Sequence, residues 1–462
     1  MERPRLTVAK FGGSAIGADG AQIPAVISRA RELARGSKVV AVVSAPLTAG
    51  AGGRRSLTDV VLEQGASAEA GRGWSLDAVR DAYGRIAGAF PGAGADVGGH
   101  LEEAGRALDE AAGAGFADEV RARALAFSGE IPMSRVMAGI MSAAGLKSEA
   151  VRLEDWPIIT DENTESANFV AAESEARMGP VLDMVSRLDV VVIGGFVGRT
   201  AAGGITTYER GGSDRTAADL GILFRRSYEA SIDFEKDSAV ASADPKVVGE
   251  GLRRVGSLSY NEARTAGMFG MKILDPVAIK ELAENGVDMP ITVTNMGDPS
   301  EYTTITRSPG TGGDPIKMVT GRGNCAILRA ETGPARRMLD SLESDRRYGE
   351  FVALSPSVID GAEMTRLLFL DGDYVRRNEK YLLAFDPLAS ITYGRGVVTL
   401  VGDGMSRAQH VASRASASVG GAGLNILNMD AQEETSRIII VIDDAGDGVE
   451  RAVRAVHGEM MG

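Results

Sequence analysis

LTVAKFGGSAIG (6–17) and KVVAVVS (38–44) decide the fold. The first run is an apolar strand over 6–11, broken by Gly12, Gly13 and Ser14. The second is another strand, almost wholly apolar. Between them residues 23–33 (IPAVISRAREL) carry apolar side chains at helical spacing. Strand, glycine loop, helix and strand make a βαβ unit. Strands this apolar belong to a parallel sheet covered on both faces.

Further strands are expected at 189–193 (DVVVI), 230–234 and 291–294. Residues 57–144 are rich in Ala and charge with helical periodicity and read as a helical block, whereas 46–54 read as a Gly- and Ala-rich loop. A helix over 216–225 follows Ser213 and Asp214, which read as its cap. Ser259 and Glu262 have the spacing of a capping box opening a helix to about 269. SPGTGGDP (308–315) reads as a linker.

Beyond it short elements alternate, at 325–329, 335–342, 351–354 and 364–370, then at 396–401, 407–419, 424–429, 437–442 and 449–457. The second set reads strand–helix–strand–strand–helix, a small ferredoxin-like module, and the first resembles a degenerate copy. The expected organisation is an α/β domain over 1–307 with its helical block at about 57–150, a linker over 308–316, and modules over 317–394 and 395–462.

A length of 462 residues fits two or three domains. With 50 basic and 63 acidic residues the net charge is −13, and no Lys/Arg cluster supplies a nucleic-acid footprint. Cys325 is the only cysteine, and His100, His410 and His457 lie far apart, which argues against a disulfide or a Cys/His metal site. The first residues lack the apolar run of a signal peptide, and no stretch approaches the ~18 apolar residues of a membrane span. A cytoplasmic protein without membrane partners is expected. The 59 glycines are nearly twice the usual share of about 7% and signal either turns or close ligand approach.

Two glycine clusters carry chemistry. Lys10-Phe11-Gly12-Gly13-Ser14 sets a lysine at a strand end beside backbone donors, an arrangement suited to phosphate. It has neither the Walker A pattern, the dinucleotide fingerprint nor the protein-kinase loop set. TTYERGGSD (206–214) places one Arg, two glycines, a hydroxyl and a carboxylate before a helix, which fits an anion pocket.

With these two clusters the sequence resembles the aspartate kinases of the amino-acid kinase family. The resemblance is carried by VAKFGGSAIG (8–17), VVSA (42–45), SGE (128–130), GGFVGRTAAGGITTYERGGSDRTAADLG (194–221), SADPKVV (242–248), SYNEARTAGMFGMKILDP (259–276) and PITVTN (290–295). Residues 401–429 and the AVRAVHGEM segment resemble the second ACT module of these enzymes. The implied fold is a three-layer αβα sandwich with a mainly parallel sheet, followed by two ferredoxin-like ACT modules.

The implied reaction moves the γ-phosphoryl group of ATP to the side-chain carboxylate of L-aspartate, with Mg²⁺ carried by ATP rather than by the protein. Lys10 and Asp214 are the implied catalytic residues. Glu130 would meet the substrate ammonium and Arg210 its α-carboxylate, with Ser213 beside it. Thr58 is the implied substrate threonine, aligned across an insertion of about eight residues. Lys10, Gly12, Gly13, Ser14, Ser44, Lys236, Lys246 and Lys272 are the implied ATP contacts.

Departures stand at Glu209 before Arg210, at Asp275 after Leu274, and at Lys236 and Lys246 in the nucleotide segment. They keep alive a kinase of this fold acting on another small acid or a nucleotide. An ACT-based amino-acid sensor with weak activity is a further alternative. The ACT modules imply a lysine or threonine effector and a homodimer or larger homo-oligomer.

Overall fold

A computed structural model of the chain describes residues 3–50, 53–94, 96–209, 211–308, 314–344, 351–359, 361–432 and 436–462. The chain packs as two compact units, one of residues 1–239 and 277–307, the other of residues 240–276 and 308–462.

The first unit is built on β1 Arg5–Phe11, β2 Lys38–Val43, β3 Ser148–Ala150, β4 Val190–Gly194, β5 Glu229–Lys236, β6 Ile291–Asn295 and β7 Tyr302–Thr306. Their order across the sheet is β7-β6-β5-β1-β2-β4-β3. Every pair is parallel except β6 with β7. Strand alternation divides the side chains between two faces. Ala9, Phe11, Val39, Ala41, Val43, Val190 and Val192 pack with the helix α1 Ile23–Leu33 and with the helical block, which includes α2 Glu130–Ala143. Lys10 points to the opposite face, where α3 Gly212–Phe224 covers β1 and β5. Helix, sheet and helix thus form the three expected layers.

Helices Leu57–Glu69, Asp77–Ala89, Gly98–Ala114 and Asp118–Ser128 precede α2 along the chain. The expected loop over 46–54 is instead a two-stranded hairpin, Leu47–Gly50 against Gly53–Ser56. Backbone pairing there needs no apolar alternation, so its sequence reads as coil. Among the described residues no helix is long and apolar enough to cross a membrane.

The second unit carries one antiparallel sheet of β8 Met318–Glu331, β9 Phe351–Ile359, β10 Ala362–Phe369, β11 Ser390–Val401, β12 Asn428–Gln432 and β13 Arg437–Asp443. Its order is β9-β10-β8-β11-β13-β12. Helices α4 Thr332–Ser344, α5 Gly372–Leu383, α6 Val411–Gly421 and α7 Gly448–Met461 complete two ferredoxin-like modules. Only Ala326–Glu331 of β8 pairs with β10, and only Arg395–Val401 of β11 pairs with β13. The first half of β8, Met318–Arg322, pairs with the second half of β11, and a bulge separates Arg322 from Cys325.

One βαββαβ module is therefore inserted in the other, and residues 318–322, expected in the first, hydrogen-bond into the second. Their side chains follow, since Val319 shares a core with Val398, Leu400, Ile440 and Val453. Ala326 and Leu328 join Met338, Leu367 and Val375 instead.

Residues 240–276, expected in the first domain, pack with this second unit. Ala243 and Val248 enter the Val398 core, and Ser242 Oγ lies 2.8 Å from His457 Nε2. The expected capping box is present, with Ser259 Oγ accepting from the Glu262 amide and Glu262 returning the bond. Most of the expected linker, 309–313, lies outside the described residues.

Candidate active site

The parallel strands end together at Phe11, Val43, Gly194 and Lys236. Ligands of doubly covered sheets bind at such strand ends. Lys10 Nζ lies 2.7 Å from Asp214 Oδ1, and both side chains are mostly buried, at 13% and 8% exposed. A charge pair so little hydrated is expensive to break, so each partner holds the other in place. Gly12 lies against the lysine, since a Cβ there would sit 3.1 Å from Lys10 Nζ. Gly13 opens the single helical turn Gly13–Ile16, in which Ser14 is exposed.

Asp214 and Ser213 lie in the first turn of α3 rather than capping it. The N-cap is Gly211, with a left-handed φ of 97°, so the helix begins at Gly212. Ser44 Oγ donates to Ser213 Oγ at 2.9 Å, which ties the end of β2 to that turn. Gly195 makes the close approach possible, because a Cβ on it would come within 2.6 Å of Ser213 Cβ. Phe196 next to it holds a positive φ of 68°, and its N–H donates to Thr216 Oγ1 at 3.0 Å. Left-handed backbone in a bulky residue persists only where the surroundings enforce it.

Glu130 begins α2 and is 5% exposed. Its Oε1 accepts from the Ala45 amide at 3.1 Å. Burial pushes its carboxyl up to about 7, although the Ala45 hydrogen bond and the Lys10 charge oppose this. Tyr83 OH donates to Gly129 O at 2.7 Å and steadies the turn into α2. Lys236, half-buried at the end of β5, has its ammonium pKa lowered by burial, with Asp214 opposing the shift and Lys10 adding to it. Lys10, Asp214, Glu130 and Lys236 thus share one electrostatic neighbourhood. Behind Lys236, Arg29 on α1 reaches Glu235 Oε1 at 2.5 Å and Asp233 Oδ2 at 2.9 Å, which anchors the end of β5 from the far face.

Not every expected residue joins this group. Thr58 is half-buried in the first turn of helix Leu57–Glu69, where its amide donates to the N-cap Ser56 Oγ at 3.2 Å. Lys246 and Lys272 are exposed and lie on the 240–276 segment of the second unit. Arg210 lies outside the described residues, and Glu209 beside it is exposed. Sequence reasoning missed Tyr83, Phe196, and the buried set of Tyr208, Arg215, Asp219 and Glu281. Asp219 did leave a signal, as a carboxylate in the apolar run AADLGILF (217–224). Among the described residues no group of three or more His, Cys, Asp or Glu is placed to hold a metal ion.

Fold and site together define an α/β protein that gathers Lys10, Lys236, Asp214 and Glu130 at the strand ends, charges of both signs suited to a phosphate and an amino acid. The amino acid kinase family model matches residues 5–295, and the chain belongs to that family. Aspartokinase 1 of Bacillus subtilis is 28% identical over 195 residues, covering 42% of this chain and 46% of that protein. Aspartokinase 3 of the same organism is 24% identical over 349 residues, 72% of each. The crystal structure of E. coli aspartokinase III with aspartate and ADP superposes with a TM-score of 0.80 at 18% identity, covering 99% of this chain and 100% of that one. The same enzyme with lysine and aspartate gives 0.69 at 19% identity, covering 98% and 99%.

Proposed function

We propose that this chain is an aspartate kinase, which transfers the γ-phosphoryl group of ATP to the side-chain carboxylate of L-aspartate and releases 4-phospho-L-aspartate and ADP. The observation that carries the reading is the largely buried Lys10–Asp214 pair at 2.7 Å, placed beside Gly12 where parallel strands end. The acceptor oxygen is already an anion, so no general base is needed. One carboxylate O–P bond forms as the bond to ADP breaks, and the residues' task is positioning and charge neutralisation.

Lys10 and Lys236 take the phosphate charge, and Gly12, Gly13, Ser14 and Ser44 line the phosphates. Asp214 orients Lys10 through their ion pair. Magnesium carried on ATP would supply further neutralisation, and Asp214 would be the carboxylate to hold it in place. Glu130 receives the substrate ammonium, and Ser213 with Arg210 receives the α-carboxylate. Thr58 contributes a hydroxyl to the substrate. The two modules of the second unit bind a lysine or threonine effector and join copies of the chain.

Incubation with ATP, L-aspartate and hydroxylamine tests the reaction. Aspartyl hydroxamate is expected. Turnover with another small acid or a nucleotide, and none with aspartate, would overturn the reading.

A further inference from the structure

The glycines that give the anion loop its close approach bring no side chains of their own to hold it. Gly211, the left-handed N-cap, and Gly212, the first helical residue, carry no side chain to brace the turn that holds Ser213 and Asp214. Ser44 and Lys10 hold that turn from the strand side, at Ser213 and Asp214, and its other side rests on the start of α3.

A buried polar cluster sits there. Tyr208 follows the short strand Ile205–Thr207 and is 1% exposed. Its hydroxyl donates to Asp219 Oδ2 at 2.5 Å, across the start of α3. Arg215, one turn before Asp219, lays its guanidinium over the Tyr208 ring, 4.2 Å from the centroid. The same guanidinium reaches Glu281 Oε1 at 2.6 Å, on the helix Pro276–Glu284. Asp219 Oδ1 and Glu281 Oε2 are both buried without a hydrogen-bond partner, and the charge of Glu281 acts on Asp219.

Two buried carboxylates that feel each other's charge repel, and a proton on one of them relieves the repulsion. Burial raises both carboxyls, and the charge of Glu281 pushes Asp219 further, well above the carboxylate range, which favours its neutral form. The cluster's contacts run in a chain, from Asp219 to the Tyr208 hydroxyl, from the Tyr208 ring to the Arg215 guanidinium, and from there to Glu281. It touches the loop directly, since a Cβ on Gly212 would lie 2.4 Å from Tyr208 Cβ.

We propose that Tyr208, Arg215, Asp219 and Glu281 form a clamp that fixes the first turn of α3, which makes Tyr208 and Asp219 positioning residues for Ser213 and Asp214. The inference rests on the reading of Lys10, Asp214 and Ser213 as the phosphoryl-transfer site. Misplacement of a reacting group by about 1 Å costs on the order of 100-fold in rate, so a clamp remote from the substrate can still set turnover.

The test uses the full chain with three variants, Tyr208→Phe, Asp219→Asn and Asp219→Ala. Two readouts are taken, amide hydrogen exchange over residues 209–217 and steady-state kinetics. Tyr208→Phe keeps the ring and removes only the donor. It should speed local exchange about tenfold and lower kcat by a similar factor, with KM for ATP and the thermal midpoint nearly unchanged. In Asp219→Asn the amide oxygen still accepts from Tyr208 and the uncharged side chain keeps the carboxyl's shape beside Glu281, so both readouts should stay within about twofold of wild type. Asp219→Ala should lose at least as much as Tyr208→Phe.

Unchanged exchange in Tyr208→Phe would overturn the clamp, as would an Asn variant as impaired as the Ala variant. Exchange needs no substrate, so it judges the clamp even if wild type forms no aspartyl hydroxamate, the result that would fail the kinase reading.

Discussion

Replacing Glu130 by Gln should make the ligand-free protein more stable and the enzyme far worse. Glu130 is almost fully buried, and burial lifts its carboxyl from the ordinary 4.5 to about 7. In the unfolded chain the group returns to its ordinary value. Below about pH 4.5 both states hold the proton, and Glu130 adds no pH dependence. Between the two values the unfolded chain has released its proton while the folded chain keeps it, so stability falls as pH rises. Above about 7 the full difference applies, worth about 3 kcal/mol.

Gln carries no such penalty and can still accept from the Ala45 amide. The stability gap between Glu130→Gln and wild type should therefore open by about 3 kcal/mol from about pH 4 to about pH 8. Urea unfolding followed by tryptophan fluorescence reads this directly, because Trp74 and Trp156 are the only tryptophans and both lie in the first unit. A gap of equal size at both pH values would refute the reasoning. The same variant should raise KM for aspartate about 100-fold, since the ammonium loses its anion. In wild type, kcat/KM for aspartate should fall about tenfold per pH unit below about 7, where the carboxyl takes up its proton.

Lys10→Ala should cost at least about a thousandfold in kcat while the circular dichroism spectrum stays that of wild type; an active variant would remove Lys10 from the chemistry. Lys236→Met should raise KM for ATP about tenfold and spare KM for aspartate, and the opposite split would place Lys236 on the acceptor. Gly195→Ala drives a methyl against Ser213, so a loss of about 1–3 kcal/mol in unfolding free energy is expected together with lost turnover. Lysine or threonine, added separately, should change the aspartate saturation curve; a curve indifferent to both would sink the effector reading.

Much of the first unit was legible because its strands are apolar on both faces. Residues 6–11 and 38–44 read as buried strands and proved to be β1 and β2, while 23–33 is α1 to the residue. Hydrophobic period carries such elements, and the two glycine clusters carried the Lys10–Asp214 pair. The hairpin at 47–56 was missed because its pairing is backbone to backbone. Helix α5 was missed because GDYVRRNEKYLL is mostly polar and buries little beyond Val375 and Leu382. Placing the helix start after Asp214 failed for a different reason. Ser and Asp are good caps by composition, yet a left-handed glycine two residues earlier had already turned the chain. The clamp was hidden because its members are separated by up to 73 residues, from Tyr208 to Glu281, and only tertiary packing joins them.

The long strand β8 has a consequence for assembly of the chain during synthesis. Its first half pairs with residues 397–401, about 75 positions later, so it emerges from the ribosome well before its partner exists. The inserted module can complete its own ladder in the interval, but the surrounding one must wait for the last helix. The insertion points are nevertheless adjacent, because Arg322 faces Val397 and Cys325 faces Arg395 across one ladder. The interrupted module is thus a hairpin whose turn has been replaced by a whole domain. Cutting out the segment between those pairs and closing it with a short Asn-Gly turn should leave an ordinary β-hairpin, and with it a single-module protein of the same register.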